Sequence, residues 1–196
     1  MSTILNKIAQ STFLILVAAL LVFSACSEDD PTQPPADGGG EQEVITTVTL
    51  TLTPQGGGNA VTVQWQDLDG DGGNAPTIGP LTLNTGVTYD GAITLQNEQE
   101  TPAEDITQEI RDEDDAHQFF YTAQGGIANS VAVTITDQDA NQLPVGLTYT
   151  VAVDANTAGQ TGELDVKLYH YDEVAKTGTN TTDEIDVDIQ FPVTIQ

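Results

Sequence analysis

From residue 44 to the end, apolar side chains recur at every second position over long stretches, and that period constrains what the chain can fold into. In VITTVTLTLT, Val48, Leu50 and Leu52 fall on one face and threonines on the other. The alternation returns in AVTVQWQ (Val61, Val63, Trp65), SVAVTIT (Val131, Val133, Ile135) and LTYTVAV (Leu147, Tyr149, Val151, Val153). LDVKLYH (Leu164, Val166, Leu168, His170) and EIDVDIQFPVTI (Ile185 through Ile195) continue it. Successive side chains of a strand point to opposite faces, so each segment predicts a half-buried strand of an antiparallel sheet. Pro192 cannot donate to a ladder, which predicts an edge or a bulge there.

The strands come in two related sets. QGGGNAVTVQWQDLD, from Gln55, aligns with QGGIANSVAVTITDQD, from Gln124; Asn59, Val61, Val63, Asp67 and Asp69 reappear as Asn129, Val131, Val133, Asp137 and Asp139. Leu-x-x-Gly-x-Thr-Tyr then occurs at Leu83–Tyr89 and again at Leu143–Tyr149. Two meanders, about 44–97 and 119–171, are expected to pack on each other, since neither can bury its apolar face alone. The predicted fold is an all-β, antiparallel, Ig-like two-sheet sandwich, with a small β-barrel as the alternative. Between the meanders, TPAEDITQEIRDEDDAH predicts one helix. Thr101 would cap it, Pro102 would occupy the first turn and Glu104 would complete a capping box. Ala103, Ile106 and Ile110 form its apolar stripe, and the acids from Asp112 to Asp115 oppose its negative end, so it should fray there.

Charge narrows the function classes. The chain has 30 acids against 4 Lys and Arg, a formal net charge of −26. Such a surface repels nucleic acid and anionic lipid. It suits a saline exterior, divalent cations or cationic partners. One Met, two His and one Cys give little support for haem or redox chemistry.

DLDGDGGNAP, from Asp67, is the sharpest chemical signal. Asp67, Asp69 and Asp71 alternate, with Gly72 sixth, as at the start of a calcium loop. The twelfth position is Ile78 rather than a bidentate Glu, and an Asp/Gly-rich turn accounts for the same residues. The counterpart DQDANQLP keeps two acids and loses the third. Glu113 and His117, four residues apart, could share a metal, though a solvated ion pair is the simpler reading. His170 continues an apolar strand face and reads as a core or rim histidine. Trp65 reads as core rather than a sugar platform. Tyr169, Tyr171 and Lys167 share the other face of their strand and could stack a glycan ring. Tyr89 and Tyr149 look like structural tyrosines at a sheet corner. Ser130 lies inside a strand pattern, not in a nucleophile elbow, and paired carboxylates carry no specificity where acids are so common. The chain is therefore expected not to be an enzyme.

The amino terminus supplies an address. Lys7 is followed by an uncharged run, Ile8 to Phe23, then Ser24, Ala25 and Cys26. This is the layout of a secretory signal, with an apolar run short of the roughly 20 residues of a membrane span. The small-small-Cys ending resembles the lipobox of bacterial lipoproteins. That resemblance implies cleavage after residue 25 and acylation of Cys26; the alternative is a secreted protein with a stray thiol. Ser27, Glu28, Asp29 and Asp30 resemble the signal that carries Bacteroidota lipoproteins to the cell surface, although acids there could also form a solvated tether facing the periplasm. Residues 26–43 have no large apolar side chain and read as a disordered tether; residues 44–196 form the single folded domain.

Through CSEDD, EVITTVTLTLTPQGGGN, QDLDGDGGNAP, ETPAEDIT, HQFFYT and FPVTI, the chain is similar to small acidic Bacteroidota surface lipoproteins, whose function is generally unknown. Some of them carry the label of a type 1 periplasmic binding fold, but two α/β lobes need a longer chain. The resemblance implies outer-membrane anchoring, facing the cell exterior, and the sandwich architecture; it assigns no site. The function expected is a binding or accessory module whose partner is a glycan or an outer-membrane protein. The competing class is a structural or adhesive envelope protein stiffened by calcium. Replacing Cys26 with Ser should release the protein from the membrane fraction. Replacing Glu28, Asp29 and Asp30 with Ala should keep the anchor but remove protease accessibility on whole cells. Shaving of that triple variant from intact cells would contradict surface export and leave the anchor intact.

Overall fold

The computed structural model describes residues 43–70, 72–172 and 174–196. Cys26, Ser27, Glu28, Asp29, Asp30 and Asp71 lie outside these residues. Ten strands and one helix follow in chain order: β1 (Thr47–Pro54), β2 (Val61–Gln66), β3 (Thr77–Ile78), β4 (Leu81–Leu83), β5 (Thr88–Gln96), α1 (Ile106–Asp112), β6 (His117–Gly125), β7 (Val131–Ile135), β8 (Thr148–Val153), β9 (Thr161–His170) and β10 (Ile185–Ile195). They form a six-stranded sheet, ordered β3-β2-β1-β5-β8-β7, and a four-stranded sheet, ordered β4-β10-β9-β6. The molecule is an all-β two-sheet sandwich, and neither sheet closes into a barrel.

The alternating residues are the core. Val48, Leu50 and Leu52 of β1, Ile93 and Leu95 of β5 and Val151 of β8 point inward from the larger sheet. Phe119, Leu164, Val166, Leu168, Phe191 and Val193 meet them from the smaller one. Burying a side chain of this size contributes about 1.5–3 kcal/mol, so the two inner faces supply the main drive to fold.

Pairing departs from the sequence expectation in three places. First, the related segments do not pack face to face. The two Gly-x-Thr-Tyr turns feed β5 and β8, which are antiparallel neighbours in one sheet. Gly91 of β5 faces Tyr149, and a Cβ at Gly91 would lie 2.3 Å from the Tyr149 ring, so the absence of a side chain there seats the tyrosine. Tyr89 and Tyr149 are both core residues, and the Tyr89 hydroxyl accepts the Asn84 N–H at 2.7 Å. β1 and β2 form a hairpin within the larger sheet, whereas their sequence counterparts β6 and β7 belong to different sheets. Second, β4 runs parallel to β10. Third, β10 is not an edge strand. Its bulge falls between Ile185 and Val187 rather than at Pro192. Pro192 is tolerated because β4 begins pairing only at Val193, so the side of Pro192 that lacks a donor has no ladder to complete.

The helix is shorter than its sequence signal. Glu104 exchanges backbone hydrogen bonds with Asn97 at 3.0 and 3.1 Å, which draws Thr101 and Pro102 into a closed loop. Asp105 takes the cap position without a side-chain hydrogen bond. Ile106 and Ile110 are buried as the stripe requires, and the helix ends at Asp112, where the acids begin. Thr107 clips it to β5, its hydroxyl accepting the Leu95 N–H at 2.8 Å and donating to the Leu95 carbonyl at 3.1 Å.

Candidate metal centre

At one end of the sandwich, four chemistry-bearing side chains from four chain segments meet. β6 and β9 pair so that His117 lies directly opposite His170, and their rings stack with centroids 4.3 Å apart. The bulge in β10 makes Asp186 the extra residue, outside the ladder with β9. A bulge of this kind re-aims a side chain, and here it turns Asp186 toward the imidazoles. Glu43 arrives from the segment that leads into β1. The expected tether therefore ends one residue early, because Glu43 is built into the folded domain.

The donor atoms face one another. His117 Nε2 lies 3.3 Å from Glu43 Oε1 and 3.8 Å from Asp186 Oδ2. His170 Nδ1 lies 4.0 Å from Glu43 Oε2 and 4.0 Å from Asp186 Oδ2. One ligand atom from each of the four residues falls within 4.8 Å of all the others. The side chains of His117 and Asp186 are 0% and 2% exposed. Glu43 Oε2 and Asp186 Oδ2 are buried with no hydrogen-bond partner, and His117 Nε2 has only the Glu43 carboxylate, at 3.3 Å. Buried polar atoms are ordinarily satisfied, and leaving one without a partner costs about 1–3 kcal/mol.

Neighbouring groups orient the rings. His117 Nδ1 lies 3.1 Å from the Glu113 carbonyl, which as an acceptor selects the tautomer with the proton on Nδ1 and the Nε2 lone pair facing the carboxylates. His170 Nε2 lies 2.9 Å from Asp172 Oδ1, close enough for an ion pair but not aligned as a hydrogen bond. Lys176 supports the backbone beneath, donating to the carbonyls of Asp114 at 2.6 Å and His117 at 3.0 Å. Its charge is met by Asp139 at 3.0 Å in a buried pair.

A regular tetrahedron of ligands around an ion with bonds of 2.0–2.1 Å has edges of about 3.3–3.4 Å. The His117 Nε2–Glu43 Oε1 separation of 3.3 Å has that length, the separations of Asp186 Oδ2 from His117 Nε2 and His170 Nδ1, 3.8 and 4.0 Å, are longer, and the stacked rings would have to turn for both lone pairs to meet one ion. Two imidazoles and two carboxylates suit a divalent transition ion. Calcium prefers six to eight oxygens and has no call for imidazole nitrogen. Two neutral imidazoles and two carboxylates carry two negative charges, which such an ion balances.

The titration of the metal-free cluster reflects the crowding. Burial, then the charge of Glu43, pushes the Asp186 carboxyl up to about 7. Burial opposes charging of His117, but Glu43, the Glu113 carbonyl and Asp186 outweigh it, so its pKa lies above the ordinary value. Burial opposes ionisation of Glu43 too, yet His117 and then His170 hold its pKa below the usual value.

Other sequence candidates fall elsewhere. Glu113 and His117 do not share a metal through their side chains, nor do they form a solvated ion pair, because the turn after α1 presents the Glu113 carbonyl to a fully buried ring. Asp67 Oδ1 accepts the Gly70 N–H at 3.0 Å, and Asp69 Oδ2 accepts the Asn74 backbone and side-chain N–H groups at 2.9 and 2.6 Å. These two carboxylates thus hold their own turn. Asp139 binds the N–H groups of Asn141 and Leu143 as well as Lys176. The expected face of Lys167, Tyr169 and Tyr171 is broken. β9 ends at His170, and Tyr171 turns inward to donate to the Asn180 carbonyl at 2.6 Å. Tyr169 packs edge-on to Phe120, and Lys167 pairs with Asp188 at 2.7 Å. Trp65 packs partly against the core and also lines an open groove of about 890 Å³ with Asp67, Glu163, Asp188 and Gln190.

No family model matches the chain, and no curated protein or solved structure matches it. Among the described residues, no helix is long and apolar enough to cross a membrane.

The pKa shifts set the pH dependence of the metal-free domain. Between the unfolded Asp value of 3.8 and about 7, folded Asp186 keeps a proton that the unfolded chain releases, so stability falls as pH rises through this window. His117 contributes with the same sign above its ordinary 6.5. Glu43, with its lowered pKa, loses its contribution only in stronger acid. In chelator, the domain should melt several degrees higher at pH 5.5 than at pH 8, and Asp186→Asn should remove a large part of that slope. An unchanged slope in Asp186→Asn would assign the effect to relief of the general negative charge.

Proposed function

We propose that this chain is a lipid-anchored outer-membrane protein, facing the cell exterior, whose folded part is a non-enzymatic metal-binding sandwich. The observation that supports the reading is the buried convergence of Glu43, His117, His170 and Asp186, with donor atoms left without hydrogen-bond partners. Four protein ligands complete a tetrahedral set, and closed sets of this kind are structural, whereas catalytic zinc keeps a position for water or substrate. The ion would neutralise the carboxylates and cross-link the two sheets. The anchored, outward-facing address rests on Cys26 and the acids after it. In this reading the metal stabilises a display module, and the partner, a glycan or an outer-membrane protein, meets another surface. The groove beside Trp65 supports a glycan partner better than the broken tyrosine face does.

Thermal unfolding with added metals tests the reading. Zinc is the probe, with calcium and magnesium at equal ionic strength as controls. An ion present at 100 times its dissociation constant adds about 2.7 kcal/mol, which raises the melting temperature of a domain of this size by several degrees. That rise should be specific to zinc or a similar transition ion, should disappear in His117→Ala and His170→Ala, and should persist in Asp69→Ala. Equal shifts with all three ions would contradict the metal centre. A calcium-specific shift lost in Asp69→Ala would favour an envelope protein stiffened through the Asp67 loop.

A further inference from the structure

We propose that the ion fastens the segment leading into the sandwich, residues 43–46, to the four-stranded sheet. This role rests on the metal-binding reading above. Three of the four ligands, His117, His170 and Asp186, belong to the smaller sheet. The fourth belongs to the run that enters β1 of the larger sheet. The ion therefore bridges the layers and holds the chain where it joins the domain.

The lead-in segment has little else to hold it. The first backbone hydrogen bonds that tie it down are at Thr46, whose N–H donates to the Gln96 carbonyl at 3.0 Å and whose carbonyl accepts the Asp67 N–H at 2.8 Å. The Thr46 hydroxyl accepts the Glu98 N–H at 2.7 Å. Among the described residues, no backbone hydrogen bond ties Glu43, Val44 or Ile45 to another element. Val44 is 52% exposed, and Ile45 packs only partly against the core. The polar hold is the Glu43 side chain, which approaches His117 at 3.3 Å while its Oε2 makes no hydrogen bond. A carboxylate placed so deeply, beside a second carboxylate, makes a weak latch without a cation and a strong one with it. If Cys26 carries the anchor, all force between membrane and domain passes through this junction, and the ion meets it first.

A simpler possibility is that the Glu43–His117 contact already closes the junction and the ion adds only general stability. Amide hydrogen exchange of the full chain, read by mass spectrometry with zinc and with chelator, separates the two. At free zinc 100 times its dissociation constant, opening that requires release of the ion becomes about 100-fold rarer. Exchange at Thr46, the amide of this segment that is hydrogen-bonded, to the Gln96 carbonyl, should slow accordingly. Glu43→Gln keeps the side-chain size and the three ligands of the smaller sheet. It should still take up zinc, more weakly, and still show zinc protection where β6 and β9 meet, but exchange at Thr46 should no longer respond. Stoichiometric zinc uptake with unchanged exchange at Thr46 would overturn the clamp and leave the metal site standing. Zinc protection of Thr46 that persists in Glu43→Gln would overturn it as well. Absence of zinc uptake in the native chain would overturn both.

Discussion

Two carboxylates and two imidazoles share one closed end of this sandwich, and the need to balance their charge organises what surrounds them. Water does not reach the key atoms of His117 and Asp186, so the repulsion between Asp186 and Glu43 is met by protons, one held by the Asp186 carboxyl up to about 7 and one favoured on His117. The structure nevertheless brings them together with specific devices. Strand register opposes the two histidines, a bulge redirects Asp186, and the turn after α1 supplies the carbonyl that fixes the ring of His117. Lys176 props the carbonyl of His117 from below, held in turn by Asp139. A buried pair of that kind is costly unless well bonded, and here it supports the strand end that carries a ligand. A divalent ion, as proposed above, would turn the same arrangement from a penalty into a cross-link.

A cross-link suits this chain. Its single cysteine allows no disulfide within the chain, and residues 43–45 reach the sandwich with hardly any backbone hydrogen bonding. The high acid content also makes metal recruitment from solution favourable over long range, since the negative surface concentrates cations before any specific ligand is reached. The exposed acids and the buried ones thus have different tasks. Those at the surface carry the general negative charge, and those at the strand ends would meet the proposed ion.

Much of the architecture was legible in the sequence. The period-two runs around Val48, Val151, Leu164 and Phe191 mark the inward faces, and Ile106 and Ile110 mark the buried side of the helix. What the sequence could not convey was partnership. The repeat at Gly86 and Gly146 is real as a turn pattern, yet whether two similar segments face each other or lie side by side depends on long-range pairing that no local pattern encodes. The cluster of Glu43, His117, His170 and Asp186 is hidden in the sequence for the same reason. In sequence the nearest acid at helical spacing to His117 is Glu113, and His170 continues an apolar strand face, so neither points to the other. The signal available was joint: they are the only two histidines of the chain, each at a strand end in an acidic protein. Asp186 and Glu43 were invisible among 30 acids, because only a bulge and a lead-in segment distinguish them. The loop at Asp67 drew notice because its acids are close in sequence, but Asp67 and Asp69 hydrogen-bond to their own turn.

The most direct test of the central claim is X-ray absorption at the zinc edge on the zinc-loaded full chain. Four nitrogen or oxygen neighbours at about 2.0 Å, with the outer-shell scattering of two imidazoles, are the expected result. His170→Ala should remove one imidazole from that pattern. A six-coordinate shell of oxygens without imidazole scattering would place the ion among surface carboxylates and contradict the centre formed by Glu43, His117, His170 and Asp186.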